Sequence, residues 1–208
     1  MFSIFLFIFS YLVGSIPSGY WFAKLFFNID ITKQGSKNIG ATNVARVFGS
    51  KKYFLLIFFI DFLKSFLCLY LINFFIYKTD LFLFYFSQND FLILNAVFLL
   101  IGNSYSIFLK LGGGKGVSTA LGILAFLFSV KFFLFFLLCW GTIIFITKYV
   151  SVASLLSVYI FAFTYIFLNF YGGLYSYGLQ VRFIFLIFLC IWITYRHKQN
   201  IKNLKIFL

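Results

Sequence analysis

From Phe2 to Tyr195 the chain passes through one apolar stretch after another, each close to twenty residues long and set off by a polar segment. A helix needs roughly 20 residues to cross the hydrocarbon of a bilayer, where every backbone N–H and C=O must be satisfied inside its own segment. Stretches at 2–25, 53–77, 82–102, 116–130, 131–147, 150–170 and 181–195 meet or approach that length. They predict an all-α, polytopic membrane protein with seven transmembrane helices, residues 1–208 forming one integral-membrane domain. Composition agrees: 63% of the 208 residues are hydrophobic and only 10% are charged, too apolar for a soluble chain of this size. No basic residue precedes the first stretch and no small-residue cleavage site follows it, so it is expected to stay as the first span rather than leave as a signal peptide.

The stretch 117–147 is interrupted only by Ser129 and Lys131, and reads either as one long tilted helix or as two short ones. Charge decides between them. With two helices, one membrane side collects Lys24, Lys33, Lys37, Arg46, Lys51, Lys52, Lys110, Lys115, Lys148, Arg196, Lys198, Lys202 and Lys205, against Lys78, Lys131 and Arg182 opposite, with Lys64 inside a span. With one helix, that split of thirteen to three falls to nine against six. Cytoplasmic loops carry the excess of Lys and Arg, so seven spans are expected, with the amino terminus outside and the carboxyl terminus in the cytoplasm. Both glycine-rich loops, the start of the sixth span and the segment after Tyr195 then share the cytoplasmic side.

Lys and Arg outnumber Asp and Glu by 17 to 4, and the surplus must face anionic lipid, an anionic substrate or both. The cations lie between apolar spans rather than on a soluble face, which argues against nucleic acid as a partner. Cys68, Cys139 and Cys190 stand singly in separate apolar runs, with no spacing for zinc, a disulfide or a redox motif. No metal and no cofactor is predicted.

Two loops carry polar chemistry. "GSKNIGATNVARVFG", 35–49, places Ser36, Lys37, Asn38, Thr42, Asn43 and Arg46 within one short segment. An Arg fork, neutral hydroxyl and amide donors, and glycine for close backbone approach are the groups that hold a phosphate; lipid headgroups are the other reading. "GGGKGVSTALG", 112–122, sets Gly113, Gly114 and Lys115 before an apolar helix, either an anion cradle at a helix N-terminus or a simple connector. Neither fits a Walker A loop, so nucleotide use is not predicted.

The remaining polar positions are less pointed. "GSIPSG", 14–19, is a kink lining a cavity or a close helix contact. Asp61 and Lys64 stand one helical turn apart inside the second span, where a lone charge costs about 3 kcal/mol, so a structural ion pair is expected. Ser151, Ser154 and Ser157 recur every third residue, a pattern usual in helix packing. His197, the one histidine, sits in a basic segment beside Arg196 and near Asn200, where histidine is ordinarily solvated. The fifth residue after it is Lys202 rather than Asp, so the H-x-x-x-x-D pair of many glycerolipid acyltransferases is absent. What remains is a neutral-to-cationic site without an evident nucleophile or base. Such a site suits an already activated substrate, with orientation and charge stabilisation doing most of the catalysis.

Taken in order, "GSIPSGYWFAK", "GSKNIGATNVARVFG", "DFLKS", "FLKLGGGKGVSTALG", "KYVSVASLLS" and "YRHKQNI" resemble the bacterial acyl-phosphate-dependent glycerol-3-phosphate acyltransferase family over nearly the whole chain. The resemblance implies transfer of a fatty acyl group from acyl phosphate to the 1-hydroxyl of glycerol 3-phosphate, giving lysophosphatidic acid for phospholipid synthesis. It implies a multi-pass protein of the bacterial cytoplasmic membrane with its site facing the cytoplasm. The partners are then the bilayer and the two substrates, with room for a soluble enzyme that makes acyl phosphate. Carried over by motif, Ser36, Arg46, Lys115 and His197 are catalytic, and Asn38, Thr42, Asn43, Gly113, Gly114, Ser151 and Asn200 bind substrate. The chain departs from the family pattern at Gly102-Asn103, where Gly-His is frequent, and at Asn203-Leu204-Lys205, where Arg-Leu-Leu and an acidic residue are common. From a different class, a membrane transporter of an organic phosphate could use the same basic loops, but the outer side offers little to receive an anion.

Overall fold

Pro17 divides the first apolar stretch. The computed structural model describes residues 2–79, 87–128, 130–172 and 177–204, and here α1 (Phe2–Ser15) and α2 (Ser18–Phe27) meet at a bend of 46°. Proline lacks the N–H that a continuous helix would use, and such residues are a usual cause of sharp kinks. The other helices are α3 (Ala41–Phe48), α4 (Lys51–Thr79), α5 (Gln88–Ser104), α6 (Val117–Leu127), α7 (Val130–Thr147), α8 (Val150–Tyr171), α9 (Tyr177–Arg196) and α10 (Lys198–Leu204). No strand occurs among the described residues. Ser129 and Lys205 lie outside them, and Lys78 and Lys202 are described in their backbone only.

Five helices are long and apolar enough to cross a membrane, or six with α1 and α2 taken as one broken span. The stretch 117–147 does form two helices, but α6 has 11 residues, about 16 Å at 1.5 Å per residue, and does not reach across on length alone. The chain divides into two compact units, Met1–Phe126 and Leu127–Leu208.

In the first unit α1 and α5 run parallel. Phe7 stacks on Phe98, the Ser10 hydroxyl donates to Asn95 at 2.7 Å, and Ser106 Oγ donates to the Ser15 carbonyl at 2.6 Å. Gly14 and Gly102 make this crossing close, since a Cβ on Gly14 would strike the Leu99 carbonyl and one on Gly102 the Tyr11 carbonyl. Small residues at crossings are how membrane helices gain packing contacts where lipid removes the hydrophobic drive between them. α4 runs the other way, with Ser18 against Asp61 and Ser10 near Cys68. Consecutive crossings require this alternation, and it places the segments after α2 and after α5 at one end of the unit.

The second unit is an up-and-down trio. Trp140 Nε1 donates to Ser154 Oγ at 3.3 Å while Phe132 meets Tyr165, so α7 and α8 are antiparallel. Tyr159 and Thr194 hydroxyls pair at 2.8 Å and Tyr165 meets Phe183, so α8 and α9 are antiparallel as well. The first turn of α8 and the end of α9 therefore share one end of this unit.

Candidate active site

The 28–50 segment is a built structure. Ile31, Ile39, Ala41 and Val44 are buried with Ala23 of α2 and Ile57 of α4, ringed by aromatics such as Phe22, Phe48 and Tyr53. Asn28 takes a left-handed conformation to close α2. Asp30 then opens a 3-10 turn at 31–33, accepting from the Thr32 N–H and, at 2.6 Å, from its hydroxyl. The Thr32 hydroxyl bond is the main reason that the Asp30 carboxyl titrates below its ordinary range.

Asn43 organises the rest of this loop. It is 1% exposed; its Nδ2 reaches the carbonyls of Asn38 (2.8 Å), Gln34 (3.0 Å) and Ile31 (3.4 Å), while its Oδ1 accepts from the Ser36 N–H at 2.8 Å. Gly35, at φ +56°, lies so close that a Cβ would collide with Asn43 Oδ1. The amide is thus turned to the backbone of its own loop. Asn38 Oδ1 accepts from the Gly40 N–H at 2.8 Å and shapes the entry to α3. Around these fixed points Ser36 and Arg46 are exposed, and half-buried Thr42 stands one turn before Arg46 on α3.

The second loop folds back along α5. The Gly114 N–H donates to the Asn103 carbonyl at 2.9 Å and the Gly112 N–H to the Leu109 carbonyl at 2.9 Å. A Cβ on Gly113 would collide with the carbonyls of Asn103 and Ser104. These glycines let the loop lie against the end of α5, where the Gly114 N–H is bonded. Lys115 follows, half-buried, and Gly116 turns the chain at φ +81° into α6. Lys115 therefore stands at a helix N-terminus, where the unsatisfied N–H groups and the dipole add to its charge.

Beneath that loop is a network that joins three of the motifs. Lys64 Nζ lies 2.7 Å from Asp61 Oδ1, as the pairing expectation requires, and also donates to the Ile16 carbonyl at 2.8 Å and to Asn103 Oδ1 at 3.4 Å. Ser18 Oγ donates to the same Asp61 oxygen at 2.8 Å. "GSIPSG" is both a kink and a close contact: Gly14 serves the helix crossing, Ile16 and Ser18 the ion pair.

In the second unit His197 is 2% exposed, contrary to the solvated reading, because it sits at the junction of α9 and α10 and not on a free tail. Its Nδ1 is 2.8 Å from the Ile193 carbonyl. A carbonyl only accepts, so His197 Nδ1 carries a proton in this contact. Its own carbonyl receives the Ile201 N–H and starts α10, which carries half-buried Asn200. Ser151 is half-buried in the first turn of α8, whereas Ser154 serves helix packing through Trp140 and the Val150 carbonyl. Each unit thus gathers its candidate residues at one end. The roles that sequence alone does not suggest are those of Asn43 and Asn103; only the apolar spacing of Ala41, Val44 and Val47, which packs α3, hints that Asn43 beside it is enclosed.

Helices that cross a bilayer, joined by structured loops bearing hydroxyls and cations, define a multi-pass membrane protein equipped for an anionic ligand. A family model described as glycerol-3-phosphate acyltransferase matches residues 4–206. The glycerol-3-phosphate acyltransferase of Aquifex aeolicus is 38% identical over 202 residues, covering 97% of this chain and 95% of the relative. That of Fusobacterium nucleatum is 37% identical over 196 residues, covering 94% and 90%. Two crystal structures of PlsY (YgiH), an integral membrane glycerol 3-phosphate acyltransferase, are similar at 35% identity, each covering 98% of this chain and 92% of theirs. The TM-score is 0.79 for the glycerol 3-phosphate form and 0.77 for the lysophosphatidic acid form. The chain belongs to the glycerol-3-phosphate acyltransferase family.

Proposed function

We propose that this acyltransferase moves a fatty acyl group from acyl phosphate to the 1-hydroxyl of glycerol 3-phosphate, yielding lysophosphatidic acid and inorganic phosphate. The acyl acceptor and product rest on the family match over residues 4–206 and on the solved relative's two ligand forms. The donor rests on one observation, the commitment of the carboxylates. Asp30 caps a turn, Asp61 pairs with Lys64 and Ser18, and Asp90 closes a capping box with Ser87, so none of these three is placed to raise the reactivity of a hydroxyl. A donor whose leaving group is already a stable anion removes that need.

In this reading Arg46 and Lys115 hold phosphate oxygens, assisted by the first N–H groups of α6 and by the Ser36 and Thr42 hydroxyls. His197 and Asn200 orient glycerol 3-phosphate, and Ser151 helps to bind it. The hydroxyl oxygen attacks the acyl carbon, the acyl C–O bond to phosphate breaks, and phosphate leaves with the bridging oxygen, one of its oxygens taking the hydroxyl proton. Residues 1–208 act as one domain, and no cofactor takes part. Purified enzyme given both substrates is expected to release lysophosphatidic acid and phosphate in equal amounts, with acyl-CoA unable to replace acyl phosphate. Equal rates with acyl-CoA would overturn the donor assignment.

From the charge split we infer that both loops and α10 face the cytoplasm of a bacterial cell, with α6 as a short seventh crossing. Because the glycine loop folds back along α5, α6 starts below the membrane surface and needs fewer residues. A soluble enzyme making acyl phosphate would then deliver it from the same side. A cysteine at Ser36 or Lys198 is expected to react with an impermeant maleimide only from the cytoplasm, and one at Gln88 only from outside. Labelling of Lys198→Cys from outside would remove the seventh crossing.

A further inference from the structure

Lys64 lies in none of the loops that carry the substrate-binding chemistry, yet it is 8% exposed in its side chain and meets three partners on three different segments. An ammonium has three N–H donors, and each finds an acceptor: the Asp61 carboxylate, the Ile16 carbonyl at the break beside Pro17, which also receives the Ser18 N–H, and the Asn103 side chain. Asn103 is itself buried, and its main-chain carbonyl receives the Gly114 N–H. The same carbonyl, with that of Ser104, is the surface against which Gly113 is pressed. Lys64 is therefore one side chain away from the residues that flank Lys115.

We propose that Lys64 is a positioning residue for the glycine loop: held by Asp61, it fixes the kink at Ile16 and the end of α5 at Asn103, and so sets where Gly114 and Lys115 stand. Asp61 holds the ammonium in place, Ser18 steadies Asp61, and the kink between α1 and α2 supplies the carbonyl that anchors the ammonium from the opposite side. The chain carries a neutral amide at Asn103, which accepts from Lys64 through Oδ1 without competing for its charge. A packing role alone would make Lys64 matter to the whole unit; a positioning role makes it matter chiefly to residues 112–116 and to the rate of acyl transfer.

The kinetic arm of the test rests on the acyltransferase reading; the exchange arm does not. Lys64→Met alone leaves the buried Asp61 charge unpaired, so the decisive variant is Asp61→Asn/Lys64→Met, in the full chain in detergent micelles. Amide hydrogen exchange over residues 112–116 is expected to quicken at least tenfold, with α1, α4 and the rest of α5 within twofold of wild type. Turnover with acyl phosphate and glycerol 3-phosphate is expected to fall at least tenfold with the KM for glycerol 3-phosphate within about threefold. Asn103→Leu should reproduce both effects, and Asn103→Asp, which keeps the acceptor, should restore loop protection. Wild-type exchange at 112–116 in the double variant, or an equal rise throughout α1, α4 and α5, would overturn the proposal. A wild-type enzyme that made no lysophosphatidic acid would refute the proposed reaction and leave the exchange result to decide the role of Lys64.

Discussion

Lys115→Ala is expected to lower turnover by about 10²–10³-fold while leaving insertion and folding intact, the usual consequence of removing one group that stabilises charge developing on a transition state. Lys115 is half-buried beside the first turn of α6, so its charge acts with less screening than a surface lysine would. The loop is also held through its backbone, where the Gly114 N–H donates to the Asn103 carbonyl. Lys115→Arg should recover part of the rate only, since a planar fork does not occupy the place of a compact ammonium. Steady-state kinetics on detergent-purified protein with unchanged thermal stability checks the expectation. Wild-type turnover in Lys115→Ala would return the glycine loop to a connector.

Asn43→Ala should be equally damaging by another route. The variant removes one hydrogen bond that the Ser36 N–H donates and three that backbone carbonyls accept, and a buried group left without its partner costs roughly 1–3 kcal/mol. Water can reach part of the opened loop, so the expected outcome is local loosening of residues 34–43 rather than loss of the bundle. Turnover should drop at least a hundredfold, with proteolytic cleavage appearing between α2 and α3 and the helical content unchanged. Asn43→Asp keeps the acceptor for Ser36 but loses the donor to the three carbonyls, and should be nearly as impaired. A substrate-binding Asn43 would instead raise KM and leave the loop resistant to protease.

The bilayer makes much of this fold readable in sequence, because it imposes length and apolarity on each crossing helix. Helices α4, α5, α7, α8 and α9 fall where apolar runs of the right length predict them. The α6 segment is harder to read, since hydropathy cannot show that Gly113 and Gly114 fold back on α5 and shorten the helix behind them. The Asp61 and Lys64 pair follows from the cost of a lone charge in a span, but the kink carbonyl and Asn103 that complete it come from different segments, brought together only by folding. His197 looks solvated because its sequence neighbours are basic; the turn between α9 and α10 buries it and fixes the proton on Nδ1. The backbone hydrogen bonds of Asn43 and Gly114 are not legible in sequence, because amides and glycines serve substrates and backbone alike.

The central claim is that glycerol 3-phosphate attacks an activated donor directly, with residues that orient and stabilise charge and none that takes the acyl group. Acyl phosphate labelled in its acyl chain and mixed with enzyme in a stopped-time experiment tests this. Without glycerol 3-phosphate the account predicts no phosphate burst and no label on the denatured protein; on adding it, phosphate and labelled lysophosphatidic acid should appear together, one for one. A burst of phosphate equal to the enzyme concentration, with label covalently on the chain before glycerol 3-phosphate is added, would contradict it.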